Sequence, residues 1–355
     1  MSLQKVTITE KNLKKYVEDI FKVAGLADEE ATIISKHLVS AELRGISSHG
    51  VSRVNIYTER LKKDLIEKKA SPVIEKETNS TALINGNNRF GILNANDGIK
   101  LAVKKAEENG IGMVGIYNSN HCGMLADYIE YATQKNCIAF GTTNAPSNMA
   151  PWGGKEKFFG TNPLAYGIPT PTNFPIIFDM ASSVVARGKI TYAKKNNQKI
   201  PIGWALSKEG KSTTDPSEAI DGLVLPVGGA KGYGLAFFVE ILSSIFTGAA
   251  YGPHVGSLLR DLDRPQGVGH FFLVMQADLF QTIDKFFARI EKMIKEIKQI
   301  SLAEGFDKIY LPGEMEFLNK ENNQIKGITL TSKISEELNI IGGRLGINYQ
   351  LTHMD

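Results

Sequence analysis

Gly110, Gly112 and Gly115, in NGIGMVG, have the G-x-G-x-x-G spacing of the loop that opens a Rossmann βαβ unit, but their surroundings run in the reverse order. That loop needs a strand before it and a helix after it, because free N–H groups of the first helical turn must face a pyrophosphate. Here LAVKKAEEN (101–109), helical in pattern, comes first and IGMVGIY, strand-like, follows. A doubly wound sheet built on these glycines is therefore excluded.

The remaining periodicity describes a mixed α+β chain. Residues 9–25 place Leu13, Val17, Ile20 and Phe21 on one helical face, with Gly25 closing the helix. Residues 28–45 repeat the pattern, with acids in the first turn and Gly45 after the end. A third helix is expected over 51–65. From about residue 70 short strands are expected at TALINGN, GILNAND, IGMVGIY and IAFGTTN, and a helix over 123–136. Residues 139–255 read as strands and long ordered loops, followed by one amphipathic helix over 277–302. The domain expectation is a helical region over 1–70, an α+β domain over 71–310, and a segment over 311–355 that packs back on the first.

Composition narrows the function classes. A net charge of +3, spread along the chain, gives no basic stripe for nucleic acid or a membrane surface. The longest apolar stretch, 235–250, contains Glu240 and is shorter than the ~20 residues that span a bilayer. Cys122 and Cys137 form neither a CxxC nor a zinc spacing. A cytoplasmic protein with a small-molecule substrate is expected.

The residues able to carry chemistry lie in a few blocks. RGISSHGVSR (44–53) sits at the corner between the second and third helices, rich in hydrogen-bonding groups and useless to a core. It sets Ser48 and His49, a proton carrier near neutral pH, close to Arg53, a cation suited to a carboxylate. NSNHCGM puts His121 at a strand-to-helix turn, where side chains meet ligands or merely cap. His121, Cys122 and Asp127 are close enough in sequence for a metal, although no HExxH or i,i+4 pair supports one. Asp179 closes the apolar run PIIFD, where a carboxylate orients an imidazole or caps the next segment. GGAKGYG leads into an apolar helix and offers Lys231 with glycines at a helix N-terminus, either an anion site or a tight turn. YLPGEME carries Glu314 on a Pro-Gly turn, a candidate ribose ligand.

Together these blocks, with APWGG, FFGTNPLAYGIPT, FDMASS, ARGKI, TTDP, GHFF and LPGE, resemble the malate/L-lactate dehydrogenase family that is unrelated to the Rossmann lactate dehydrogenases. Its members include malate, sulfolactate and ureidoglycolate dehydrogenases, diketogulonate reductase and piperideine-carboxylate reductase. The resemblance implies a non-Rossmann NAD(P)-binding mixed sheet flanked by helices, with an N-terminal helical layer. It implies hydride transfer between NAD, with NADP as the alternative, and C2 of a 2-hydroxy/2-oxo acid, and a homodimer.

It also implies roles. His49 matches the acid/base histidine, with Ser48 beside it and Arg53 after it. His121 matches a second active-site histidine, used for the proton transfer in some members. Asp179 matches an aspartate near cofactor and histidine. Asp179, Met180, Ala181, Lys231, Gly313 and Glu314 match cofactor-binding positions. Asn144 and Arg264 join Arg53 as substrate-binding candidates, with Arg264 placed to hold a second carboxylate. Ala145 and Pro146 stand where a ureidoglycolate enzyme would carry Ser-Asp, so malate with oxaloacetate is the first expectation, ahead of ureidoglycolate or sulfolactate. The contrasting expectation is a zinc-dependent hydrolase built on His49, His121 and Asp179.

Overall fold

In the computed structural model, which describes residues 5–353, the chain begins with strand β1 (Lys5–Ile8) and two antiparallel helices, α1 (Glu10–Val23) and α2 (Asp28–Leu43). The Thr9 hydroxyl accepts from Asn12 N and caps α1. The expected stripe of Leu13, Val17, Ile20 and Phe21 is fully buried, and truncating Phe21 to Ala would cost about 3–5 kcal/mol.

The third helix, α3 (Val54–Lys62), starts later than its pattern predicts. Two single 3-10 turns, Ser47–His49 and Val51–Arg53, come first and meet at Gly50. Strands β2 (Val73–Glu77) and β3 (Thr81–Asn85) lead into α4 (Gly91–Asn109). GILNAND, expected as a strand, is the start of this helix. Its small residues serve close packing: a Cβ on Gly91 would lie 1.9 Å from Asn120 O, and one on Gly98 2.4 Å from Ile116 Cδ1.

Strand β4 (Ile111–Ser119), helix α5 (Ala126–Thr133) and strands β5 (Cys137–Thr143), β6 (Leu164–Ile168) and β7 (Ile176–Met180) follow. Helix α6 (Arg187–Lys195), β8 (Ala205–Leu206), α7 (Pro216–Asp221) and β9 (Leu223–Val224) form a small lobe around Val185, Ile190, Ile200 and Val224. Its helices were missed where only strands and loops were expected. The chain continues through α8 (Ala230–Glu240), a π-helical turn at Ile241–Ile245, β10 (Val268–Gln276) and α9 (Ile283–Lys298). Helix α9 is shorter than the expected 277–302, because residues 277–282 form the turn that leaves β10. Helix α10 (Glu314–Lys326), strand β11 (Ile328–Thr331) and helix α11 (Ser332–Arg344) end the fold.

The main sheet has seven strands in the order β2-β3-β4-β10-β5-β6-β7. Only β3 and β4 pair in parallel, joined by the crossover helix α4; the other neighbours are antiparallel. Gly110 thus precedes a central strand, and Gly112 and Gly115 lie within it rather than in a phosphate loop. Strand β7 is an edge, and β11 pairs antiparallel with β1, Ile8 opposite Ile328. Among the described residues no helix is long and apolar enough to cross a membrane.

Candidate active site

Helix α2 ends at Leu43, and Gly45 turns the chain at φ 80°. That turn projects Ser48 and His49 from the first 3-10 segment. Ser48 Oγ lies 3.0 Å from Nδ1 of His49. Arg53, on the second segment, donates from Nε to Ser48 O at 2.7 Å, and among the described residues it forms no ion pair.

His121 leaves the end of β4 and meets this corner. The rings of His49 and His121 stack with centroids 5.7 Å apart and planes 13° from parallel. Three contacts hold His121. Its backbone N–H donates to Gln266 Oε1 at 3.0 Å; Gly123 N donates to its Nδ1 at 3.3 Å; and the Tyr57 hydroxyl lies 2.6 Å from the same nitrogen. A nitrogen that accepts from a backbone N–H carries no proton of its own. Tyr57 is therefore also a donor, and the neutral ring holds its proton on Nε2.

Burial, aided by the charge of Arg53, pushes His49 down to about 4. Burial, then His49 and Arg53, holds His121 well below the usual histidine range. Both rings are neutral at physiological pH, and the Arg53 charge is the lesser part of what keeps them so.

Asp179 stands on β7, and burial raises it to about 6 against the opposing pull of the Ala126 and Leu125 amides. Its carboxylate accepts from Ala126 N at 2.9 Å, so it caps α5 instead of orienting an imidazole. Asp127 belongs to another histidine: His37 Nδ1 lies 3.1 Å away, and Ser40 Oγ donates to it at 2.6 Å. His49, His121 and Asp179 do not converge, and among the described residues no group of three His, Cys, Asp or Glu is placed to hold a metal ion.

The other expected cofactor positions gather along edge strand β7. Met180 ends that strand and Ala181 follows it. Val227 N donates to Ser182 O at 2.9 Å, which brings the Gly228–Gly229 turn alongside. Both glycines have positive φ, 61° and 66°, and no heavy atom lies within 4 Å of a Cβ on Gly228. This open turn feeds the N-terminus of α8, where Lys231 is exposed, so free amides and a cation face the same space. Ile177 N donates to Pro312 O at 3.3 Å, and Gly313, at φ 78°, packs on Ile177 too closely for any side chain. A bent backbone, a helix N-terminus and a lysine along one edge fit the phosphates of a dinucleotide.

Three expected ligands sit otherwise. Glu314 is not free for a ribose: it pairs with Lys298 and with Lys308 at 2.9 Å, and accepts from Leu311 N at 2.9 Å. Burial alone would raise it, but these partners outweigh burial and hold it at about 2. Asn144 is 2% exposed and fully used inside the protein, donating to Ala250 O at 2.7 Å and accepting from Gly269 N at 3.0 Å. It cannot reach a substrate without abandoning the join between β5 and β10. Arg264 is half-exposed, with Nε and Nη2 both on Asp261 Oδ2.

Tyr57, Gln266 and Arg60 were not singled out from the sequence. Arg60 is fully buried and holds the loop before Gln266 by the carbonyls of Asp261, at 2.8 Å, and Arg264, at 3.1 Å. In the sequence Tyr57 and Arg60 read as core and surface positions of a helix, because their partners lie far along the chain.

The pattern of the family described as malate/L-lactate dehydrogenase matches residues 8–339. The chain is 38% identical over 328 residues to the malate/(S)-sulfolactate dehydrogenase of Methanothermus fervidus, covering 92% of this chain and 95% of that protein. The structure resembles the sulfolactate dehydrogenase of Methanocaldococcus jannaschii, with a TM-score of 0.90 and 37% identity over 96% of this chain and 98% of the other. It also resembles a malate dehydrogenase from Entamoeba histolytica, with a TM-score of 0.92 and 30% identity over 98% and 99% of the two chains.

Proposed function

This chain belongs to the malate/L-lactate dehydrogenase family, and from that premise we propose that it interconverts a 2-hydroxy acid and its 2-oxo acid, with malate and oxaloacetate as the first pair. It is a nicotinamide-dependent hydroxy acid dehydrogenase; NAD is the proposed cofactor and NADP the alternative. The supporting observation is the juxtaposition of an unpaired guanidinium, Arg53, with two neutral, stacked imidazoles.

Met180, Ala181, the Gly228–Gly229 turn, Lys231 and Gly313 would hold the dinucleotide, which when bound would supply the hydride. The protein supplies the rest. Arg53 takes the C1 carboxylate in a charge-assisted pair. That pairing offsets the positive charge that helps hold both histidines down, so substrate binding itself raises their basicity. His121 presents Nε2–H to the C2 oxygen, since its Nδ1 is occupied by Tyr57 and Gly123. The ring, made more basic by that pairing, takes a proton from solvent on Nδ1, where the Tyr57 oxygen turns to accept it. As negative charge grows on the C2 oxygen the Nε2 proton moves to it, so His121 ends neutral and Tyr57, whose hydroxyl burial makes harder to ionise, keeps its own proton. In oxidation the path reverses. His49, stacked alongside, forms the second wall and offers Nε2 to the substrate, its Nδ1 being held by Ser48. This assigns the transfer to His121 rather than to His49.

Sulfolactate with sulfopyruvate is the second reading, favoured by the relatives from M. fervidus and M. jannaschii, which are named for sulfolactate. A carboxylate or sulfonate at C3 would have to draw Arg264 from Asp261. Initial rates crossing NADH and NADPH with oxaloacetate, sulfopyruvate, pyruvate and oxalurate test both readings. Oxaloacetate turned over far more slowly than every other acid would rule out malate. His121→Gln is expected to lower kcat by ~100-fold or more, with His49→Gln acting more on KM; the opposite split would return the proton transfer to His49.

A further inference from the structure

The corner that carries His49 lacks the ladder of a full helix. Its two 3-10 turns leave backbone donors unpaired, and one buried carboxylate takes one of them together with a side-chain hydroxyl. Glu42, in the last turn of α2 and 3% exposed, accepts from Val51 N at 2.9 Å through Oε1 and from Ser47 Oγ at 2.7 Å through Oε2. It grips the first turn at its start and the second at its start. Gly50, between them, is glycine because the carboxylate occupies its side-chain space: a Cβ there would lie 2.1 Å from Oε1.

The grip passes on to the reacting groups. Ser47 O accepts from Ser52 Oγ at 2.8 Å, and Ser48 O accepts from Arg53 Nε at 2.7 Å. Fixing Ser47 and Val51 therefore fixes the residues between them, Ser48 and His49, and the reach of Arg53. Among the described residues no cation pairs with Glu42. A lone buried carboxylate is a costly way to fill space, and an apolar side chain of similar volume would serve a purely structural corner better.

We propose that Glu42 is a positioning residue of this enzyme, whose carboxylate locks the two turns so that His49 and Arg53 face the substrate together. This rests on the hydroxy acid dehydrogenase reading above. It differs from ordinary stability in what it predicts, since the cofactor groups along β7 are on other elements.

The test is Glu42→Gln, which keeps size but sets an NH2 group against one of the two donors. The expected result is a loss in kcat/KM for the 2-oxo acid on the order of 10–100-fold, as when reacting groups shift by ~1 Å. NADH affinity, read by fluorescence, should be unchanged, and the ring-nitrogen NMR signals of His49 should move. Ser47→Ala, which removes one donor and spares Val51, should give a smaller loss of the same kind and stands in if Glu42→Gln fails to fold. Wild-type kcat/KM with unmoved His49 signals in either folded variant overturns the proposal. So does a parallel loss of NADH affinity, which marks a global structural role. If the wild type turns over no 2-oxo acid yet His49 moves in Glu42→Gln, the dehydrogenase reading falls and the positioning role stands.

Discussion

The Tyr57 hydroxyl donates to Nδ1 of His121 at 2.6 Å, from a side chain that is 1% exposed. This bond fixes which ring nitrogen looks into the cleft. Tyr57→Phe keeps the ring and deletes the donor. The expected loss is about 1.4 kcal/mol of transition-state stabilisation, roughly tenfold in kcat. Substrate KM and NADH affinity should stay as in the wild type, and steady-state kinetics with a fluorescence titration checks all three.

Arg53→Gln removes the carboxylate partner and the charge beside two imidazoles. A charge-assisted bond of about 2 kcal/mol corresponds to roughly 30-fold in kcat/KM. The acid limb of the pH–rate profile should also move upward, because burial holds His49 and His121 down with the help of that charge. An unchanged limb would show that burial alone sets their basicity.

Stability should fall in mild acid. His270 is buried between Thr143 and Ser119, and burial pushes it down to about 3; His49 is down to about 4. The unfolded chain takes up these protons near pH 6.5 and the folded chain does not. Stability is therefore full above that pH and is lost as pH falls toward the folded values, by about 1.4 kcal/mol per group and pH unit. Asp179, raised from 3.8 to about 6, works the other way within part of the same window. His121, also held well below the usual range, adds to the loss, and Glu42, raised by burial, works with Asp179; three histidines against two carboxylates leave a net loss. Urea midpoints across this range measure the slope, which should be shallower in His270→Gln.

Asn144→Ala separates structure from substrate contact. It strands the buried N–H of Gly269 and the carbonyl of Ala250, at a cost of about 2–3 kcal/mol. The thermal midpoint should drop while KM for the 2-oxo acid is unchanged. A raised KM at full stability would restore Asn144 as a substrate ligand.

Lys231→Ala should weaken NADH binding roughly tenfold with little effect on kcat at saturation. Unchanged affinity would remove Lys231 from the phosphate site and leave the Gly228–Gly229 turn as its main element.

Local signals carried much of this enzyme. The amphipathic stripe of α1, the strand over IGMVGIY and the polar corner around His49 follow from short-range periodicity and composition, and the reversed glycine spacing excluded the common dinucleotide fold. Missed features depended on distant partners. GILNAND reads as turns and strand because its glycines and asparagines are poor helix formers, yet those small residues let α4 lie against β4 and the turn after it. Tyr57 follows Val54 and precedes Leu61 on an apolar stripe, so nothing nearby marks its hydroxyl. Glu314 and Asn144 matched binding positions by wording, but lysines and backbone groups from other elements had already claimed them.

Among the described residues strand β1 has one partner, β11, which comes after every strand of the main sheet. During synthesis the sheet strands up to β10 emerge and can pair while β11 is still inside the ribosome. The helical layer bearing His49 lacks this pairing until residues 328–331 have left the ribosome. A nascent chain halted before residue 328 would therefore expose the unpaired edge of β1 to chaperones, and catalytic competence would wait on the emergence of β11.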